Sequence, residues 1–67
     1  MELIFKNKIK GYREKKNYSQ AKLAEIVGST RQTIIAIEKG TFSPTAKLAY
    51  LLCLALDCKF EDLFYFE

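Results

Sequence analysis

Three consecutive polar residues, Arg31, Gln32 and Thr33, carry the most versatile hydrogen-bonding groups of this 67-residue chain. A guanidinium and a carboxamide can each make two parallel hydrogen bonds to one planar partner, as they do with the edges of guanine and adenine, while threonine offers a hydroxyl and a methyl group. Ile34 and Ile37 follow at a spacing that predicts the buried stripe of a helix. The polar side chains would therefore stand exposed at the start of that helix.

Side chains suited to catalysis or metal binding are scarce. The chain has no histidine, the most frequent general base and metal ligand. Cys53 and Cys58 do not have Cys-x-x-Cys spacing, and we interpret them as reduced thiols, with a disulfide as the minor alternative. A chain of this size buries only about 60% of its unfolded surface, which leaves little room for an internal active site. We therefore predict no enzyme activity, no metal and no cofactor, and no small-molecule ligand is evident from the sequence.

Charge is distributed unevenly along the chain. Residues 1–22 hold seven Lys or Arg against two Glu, whereas residues 48–67 hold one Lys against four acidic side chains. With a net charge of +3, this polarity is typical of a protein that turns one face toward a polyanion. Charge alone does not exclude the alternative that this is a solvated, lysine-rich helix. Residues such as Lys6, Lys8 and Lys10 are more often exposed to solvent than bound to DNA.

The composition is that of a globular protein, with 49% hydrophobic and 28% charged residues. No segment approaches the roughly 20 apolar residues that a membrane span needs. The first five residues lack the charged start and long apolar stretch of a signal peptide. We predict a single domain, residues 1–67, located in the cytoplasm and without membrane association.

Apolar periodicity and capping residues predict a mainly α fold. Ser19, Thr30 and Thr45 are residue types that begin helices, and Gly28 and Gly40 are typical helix ends. Five helices are expected, at residues 6–16, 20–27, 31–39, 46–56 and 60–64. The flanking segments are rich in β-forming residues and could pair as a short antiparallel two-stranded sheet. The aromatic residues expected in the core or at its edge are Tyr12, Tyr18 and Phe42.

Residues 20–38 have the pattern of a helix-turn-helix. Ala24 is a small residue in the middle of the first helix, Gly28 supplies the turn, and the second helix has a polar first turn followed by apolar positions. In DNA-binding proteins with this motif, the second helix enters the major groove and its first residues touch base edges. A helix pair with a glycine turn is by itself a weak signal of DNA binding.

A longer set of motifs resembles a known family. The chain reads Ser19-Gln20-x-x-Leu23-Ala24-Glu25-x-Val27-Gly28-x-Thr30-Arg31-Gln32-Thr33-Ile34, then Ile37-Glu38-Lys39-Gly40 and Ser43-Pro44-Thr45. These motifs resemble the XRE family, the Cro and phage-repressor type of helix-turn-helix regulator, over residues 8–64. The resemblance implies a compact five-helix Cro/repressor-like domain. It also implies that the domain binds a palindromic double-stranded DNA operator as a homodimer, usually to repress transcription.

The resemblance implies roles for individual residues. Base contacts fall on Arg31, Gln32, Thr33 and Ala36, although Ala36 offers only a methyl group. Phosphate contacts fall on Gln20, Thr30, Lys39, Thr41 and Ser43. An interior ion pair falls on Arg13 and Glu38. Each of the polar positions could instead be an ordinary surface residue.

A symmetric operator needs two copies of the chain. Both ends are more apolar than loose termini usually are, and the layout resembles stand-alone family members of the cytolysin-repressor kind. We therefore predict that the terminal segments, residues 1–5 and 64–67, form the dimer contact. The residues concerned are Leu3, Ile4, Phe5, Phe64, Tyr65 and Phe66. The alternative is that these segments only complete the core of each monomer.

A protein-interaction module, such as an antitoxin-like partner, is the competing functional class. Apolar ends and acidic surfaces near the helix caps would suit such a module. Binding to duplex DNA of random sequence separates the two classes. The affinity of a DNA-binding protein falls steeply with salt, whereas a pure protein adaptor would not bind the duplex.

Overall fold

Five helices lie between two short strands in the computed structural model, which describes residues 3–67. In chain order the elements are β1 (Phe5–Asn7), α1 (Ile9–Lys15), α2 (Gln20–Val27), α3 (Arg31–Lys39), α4 (Ala46–Leu56), α5 (Phe60–Leu63) and β2 (Phe64–Phe66). The predicted fold class, mainly α with a two-stranded antiparallel sheet, is confirmed. No helix within residues 3–67 is long and apolar enough to cross a membrane.

The three central helices begin and end where capping residues allow it. Ser19, Thr30 and Thr45 each accept a hydrogen bond from the backbone N–H three residues ahead, at 2.9, 3.2 and 3.2 Å respectively. Gly28 and Gly40 end α2 and α3 with φ angles of 72° and 81°, a left-handed conformation that glycine adopts without steric cost. The bounds of α2, α3 and α4 therefore agree with the predicted ones.

The core lies where α2, α3 and α4 meet, with α1, α5 and the terminal sheet packed around it. All five helices contribute fully buried large side chains, which are Ile9, Leu23, Ile34, Ile37, Leu52, Leu56 and Leu63. Burying one such side chain stabilises the fold by about 1.5–3 kcal/mol. Tyr12 and Tyr18 pack against this cluster at its edge.

The first helix begins later than predicted because residues 5–7 pair with β2 in an antiparallel ladder. The pairing extends to the backbone groups of Ile4 and Glu67, which exchange hydrogen bonds of 3.1 and 2.9 Å. Residues in an extended ladder cannot have helical dihedral angles. As a result α1 starts at Ile9 instead of residue 6, and α5 ends at Leu63 instead of residue 64.

Two aromatic residues differ from their predicted surroundings. Phe42, expected in the core or at its edge, is 50% exposed on the loop between α3 and α4. Phe64, expected in a dimer contact, is only 3% exposed and stacks on Phe5 with ring centroids 5.5 Å apart. Because its ring is covered by its own chain, Phe64 belongs to the core of the monomer.

Asn7, the last residue of β1, joins the terminal sheet to α3. Its side-chain Nδ2 donates to the carbonyl of Ile37 at 2.8 Å, and its Oδ1 accepts from the N–H of Ile9 at 3.2 Å. The first bond is made in the last turn of α3 and the second at the start of α1. The N–H of Ile9 belongs to the first turn of α1, where donors lack partners within their own helix, whereas the carbonyl of Ile37 also accepts from the N–H of Gly40 at 3.0 Å. One side chain therefore fixes both helices relative to the sheet.

Replacing Asn7 with alanine should lower the free energy of unfolding by about 1–3 kcal/mol, because the N–H of Ile9 loses its acceptor and the carbonyl of Ile37 loses one of its two donors. Urea denaturation followed by circular dichroism measures the change. Lys6→Ala is the control from the same strand, since Lys6 forms only an exposed ion pair with Glu67 and such pairs add little. Equal midpoints for Asn7→Ala and Lys6→Ala would contradict the role of Asn7.

Candidate nucleic-acid interface

The first turn of α3 presents its polar side chains to solvent. Arg31 and Gln32 are exposed, and Thr33 is half-buried. Ile34 and Ile37 of the same helix are fully buried in the core. Since these two isoleucines fix the rotation of α3 about its axis, the guanidinium and the carboxamide point away from the protein.

The hydroxyl groups of Thr30 and Thr33 are paired with each other. Thr30 Oγ1 accepts from the Thr33 N–H at 3.2 Å and lies 2.9 Å from Thr33 Oγ1. When Thr33 donates this second bond, the hydroxyl proton of Thr30 stays free for an external acceptor. Thr30 can then donate to a phosphate oxygen, while Thr33 keeps its methyl group and a hydroxyl oxygen that can only accept.

Helix α2 packs on α3 and sets its orientation. Ala24, in the middle of α2, is only 3% exposed, and its small side chain allows a close approach of the two helices. The turn between them contains Gly28 in the left-handed conformation, and the N–H of Ser29 donates to the carbonyl of Ala24 at 2.8 Å. This arrangement is a helix-turn-helix, in which α3 occupies the place of the recognition helix.

A buried ion pair joins α1 to the end of α3. Arg13 Nε lies 2.7 Å from Glu38 Oε2, Arg13 Nη2 lies 3.2 Å from Glu38 Oε1, and both side chains are about nine-tenths buried. Arg13 Nη1 also donates to the carbonyl of Tyr18 at 3.0 Å. The hydrogen bond to Glu38 is the main cause that raises the pKa of Arg13 above its ordinary value. The structure thus brings the two predicted partners together.

Gln20 is part of the same network. Its Nε2 donates to Glu38 Oε1 at 3.2 Å, which places the side chain of the first residue of α2 against the last turn of α3. An amide nitrogen carries two hydrogens, so one remains for a second acceptor. The network therefore orients Gln20 and leaves it able to meet a phosphate oxygen.

The other predicted phosphate ligands lie at the end of α3 and in the loop after it. Lys39 and Ser43 are exposed, while both the N–H and the hydroxyl of Thr41 donate to the carbonyl of Ala36, at 3.0 and 3.2 Å. The hydroxyl proton of Thr41 is therefore engaged, and its oxygen can only accept. A phosphate oxygen also only accepts hydrogen bonds, so the geometry favours Lys39 and Ser43 over the side chain of Thr41 as its partners.

Several lysines outside α3 are already paired. Lys6 contacts Glu67, Lys16 contacts Asp57 and Lys22 contacts Glu25, all at exposed positions. None of the ion pairs formed among residues 3–67 involves Arg31 or Lys39. The positive charges at the two ends of α3 are therefore not neutralised within the described part of the chain.

The cysteines are free thiols at the end of α4. The Cys58 N–H donates to the carbonyl of Cys53 at 3.1 Å, and burial raises the pKa of both thiols. Within residues 3–67 no three residues of a metal-binding type come together.

The residues predicted for dimerisation fall into two groups. Leu3, Ile4, Tyr65 and Phe66 are exposed, whereas Phe5 is half-buried and Phe64 is buried. Residues 1 and 2, which begin the predicted terminal segment, lie outside the described residues. A second copy of the chain could therefore contact the exposed residues of this set, but not the buried ring of Phe64.

The structure adds an apolar surface to which sequence reasoning gave no function. Tyr50, Leu54 and Phe60 are more than half exposed and line a groove of about 480 Å³, which we call the α4–α5 surface. The Phe60 ring lies 5.0 Å from that of Phe64, so this surface adjoins the terminal sheet. The spacing of Tyr50 and Leu54 is the signal that could have found it, because it continues the apolar face of α4 beyond the core stripe.

The chain resembles known regulators in sequence. A family model described as helix-turn-helix matches residues 9–63. An HTH-type transcriptional regulator of Bacillus subtilis, YgzD, is 52% identical over 62 residues, which are 92% of this chain and 94% of the relative. Another, from Methanocaldococcus jannaschii, is 48% identical with the same coverage of both chains.

It also resembles a solved structure. The crystal structure of the clp gene regulator ClgR from Corynebacterium glutamicum matches 81% of this chain with a TM-score of 0.75 and 22% identity. This chain spans 57% of the ClgR chain, and at this identity the similarity concerns the fold. With sequence relatives and fold in agreement, the chain belongs to the XRE-type helix-turn-helix family of transcriptional regulators.

Proposed function

We propose that this protein is a sequence-specific, double-stranded-DNA-binding repressor that acts in the cytoplasm as a homodimer on a palindromic operator, with no catalytic activity. The observation that carries the proposal is the first turn of α3. Arg31 and Gln32 are exposed there, while Ile34 and Ile37 anchor the helix in the core. A helix exposed at its start and buried along its other side can enter a major groove without disturbing the fold.

In this proposal the base contacts come from α3. Arg31 pairs with guanine and Gln32 with adenine, each through two hydrogen bonds. Thr33 and Ala36, both half-buried, contribute methyl groups at the edge of the contact. The donors of Arg31 and Gln32 match the hydrogen-bond acceptors on base edges, and the positive charge of Arg31 suits a groove flanked by phosphates.

Phosphate contacts on either side of α3 anchor the helix in the groove. Gln20 and Thr30 approach one strand from the starts of α2 and α3, and Lys39 with Ser43 approaches from the end of α3. Thr41 joins them through its hydroxyl oxygen only by way of a bridging water, because its proton is already donated to Ala36. Such contacts make affinity dependent on salt but carry no sequence information directly.

The homodimer is supported by the amount of exposed apolar surface. The α4–α5 surface adjoins the terminal sheet, and together they expose Tyr50, Leu54, Phe60, Phe66 and residues 3–4. Small monomers rarely expose contiguous apolar patches of this kind unless the patch binds something. A second copy is the partner that a two-fold symmetric operator requires.

Replacing Arg31 with alanine should lower operator affinity by about tenfold to hundredfold and abolish the preference at one base pair, since one bidentate base contact is worth about 1–3 kcal/mol. Selection of bound duplexes from a random pool, followed by fluorescence anisotropy, measures both effects. Lys10→Ala is the charge-matched control, because it also removes one exposed positive charge but from α1.

The control should lower the affinity for all duplexes by a similar small factor and leave the preferred sequence unchanged. Gln20→Ala should likewise weaken all sites about equally. If Arg31→Ala retains the wild-type base preference, the assigned role of α3 is wrong. Duplex binding that is absent even at low salt would favour the protein-interaction module instead.

A further inference from the structure

Phe42 lies beside the proposed base-reading residues of α3. Together with Thr30, Gln32, Thr33 and Ala36 it lines a shallow depression of about 240 Å³ on the exposed side of the helix. Half of the Phe42 surface is exposed. A large aromatic side chain exposed at this place needs an explanation, since nothing within residues 3–67 covers it fully.

The backbone holds Phe42 in this position. Gly40 turns the chain at the end of α3 in a left-handed conformation, with φ at 81°. Thr41 then donates both its N–H and its hydroxyl to the carbonyl of Ala36, at 3.0 and 3.2 Å. These two bonds attach the loop to α3 immediately before Phe42. The backbone of the loop therefore places the Phe42 ring beside the helix.

The depression combines apolar groups with one free carboxamide. The Phe42 ring and the Ala36 methyl group are apolar, and the hydroxyls of Thr30 and Thr33 are paired with each other. Of the three polar lining side chains, Gln32 alone makes no hydrogen bond within residues 3–67, whereas Thr30 and Thr33 are bonded to each other. No lysine or arginine of the described chain lines the depression, so the hydroxyl of Thr30 at its edge is the one group there assigned to a phosphate contact, and no positive charge draws a phosphate into the depression itself.

We propose that the depression receives the C5-methyl group of a thymine, with Phe42 as a specificity-determining residue. An A·T pair presents a hydrogen-bonding adenine edge and a thymine methyl group in the same groove. Gln32 would bind the adenine edge, while Phe42 and Ala36 contact the methyl group of that pair or its neighbour. This inference rests on the proposed function, since it assumes that α3 lies in the major groove.

The test uses the wild-type protein and its selected operator. Each thymine is replaced in turn by uracil, which lacks only the methyl group, and affinity is measured by fluorescence anisotropy. We expect uracil at one position in each half-site to lower the affinity by about threefold to tenfold. This is the effect expected from one buried methyl group and its contacts. The selection pool contains no methylated cytosine, so thymine supplies all C5-methyl groups.

Variants then assign the effect to Phe42. In Phe42→Ala the affinity for the thymine operator should fall by about threefold to tenfold, and thymine and uracil should bind equally at that position. Phe42→Leu keeps an apolar side chain and should keep most of the discrimination. Ile26→Ala, which truncates an exposed apolar residue on α2, should retain the wild-type ratio.

The outcomes separate this inference from the proposed function. If the protein selects an operator but tolerates uracil at every position, or if Phe42→Ala still prefers thymine, the thymine pocket is wrong and the DNA-binding proposal stands. If no duplex is preferred over random DNA, both proposals fail. The uracil series needs no variant, so a folding defect of Phe42→Ala would not affect it.

Discussion

Replacing Arg13 with alanine should lower the free energy of unfolding by about 3–5 kcal/mol, because it leaves the buried carboxylate of Glu38 without its counter-charge. The same change removes the donor to the carbonyl of Tyr18. For a domain of this size that loss is a large share of the total stability. Urea denaturation followed by circular dichroism measures it, at a temperature where the variant is still folded.

Two controls make the Arg13 result specific. Arg31→Ala removes an exposed arginine and should leave the unfolding midpoint nearly unchanged. The double replacement Arg13→Leu and Glu38→Leu removes both charges and should recover much of the loss, because no buried charge is then unpaired. A loss below about 1 kcal/mol in Arg13→Ala would show that the pair contributes no more than an exposed one.

The ion pair should also persist in alkaline solution. Because its hydrogen bond to Glu38 raises the pKa of Arg13, the folded state holds this proton more tightly than the unfolded state does. The resulting stabilisation is present below the unfolded-state pKa and is lost only when pH rises through the raised value. The positive charge of Arg13 in the network that orients Gln20 is therefore kept in alkaline solution.

Replacing Leu54 with aspartate should dissociate the proposed homodimer and lower operator affinity by about a hundredfold or more. Burying an unpaired charge in an apolar contact costs about 3–5 kcal/mol, which is a factor of hundreds in the dissociation constant. Leu54 is 60% exposed in the single chain, so the monomer should still fold. Analytical ultracentrifugation at micromolar concentration measures the oligomeric state.

Further variants decide which surface forms the dimer. Ile26→Asp places the same charge on an exposed residue of α2 and should leave the dimer intact. Phe66→Asp tests the terminal sheet, where sequence reasoning placed the contact. If Phe66→Asp dissociates the dimer and Leu54→Asp does not, the terminal segments form the interface. A wild-type monomer at micromolar concentration would overturn the homodimer itself.

Helix α3 was predictable because its determinants are local. Thr30 caps α3 through a bond to the third residue beyond it, Gly40 ends the helix, and the spacing of Ile34 and Ile37 shows which side is buried. These features involve residues within one or two helical turns of each other. The exposure of Arg31 and Gln32 follows from the same pattern, so the sequence alone was enough to predict it.

The ends of the chain were less predictable because their structure depends on distant partners. The β-forming ends predicted a short sheet, but residues 6 and 7 were assigned to the first helix; they extend the strand because β2 lies about sixty residues away in sequence and beside them in space. The buried state of Phe64 follows from that pairing and from its stacking on Phe5. Local composition indicated that the ends could pair, but the register and length of the pairing depend on both strands together.

By itself, the sequence determined the helices, their caps, the buried face of α3 and the family. Such features arise from backbone and side-chain preferences that act within a few residues. Only the tertiary structure decided that Asn7 is bonded to Ile37, that Phe42 stands beside Gln32 and Ala36, and that Leu54 is left uncovered. These contacts and exposures depend on how whole elements pack, because the surface that stays exposed on one helix is set by the positions of all the others.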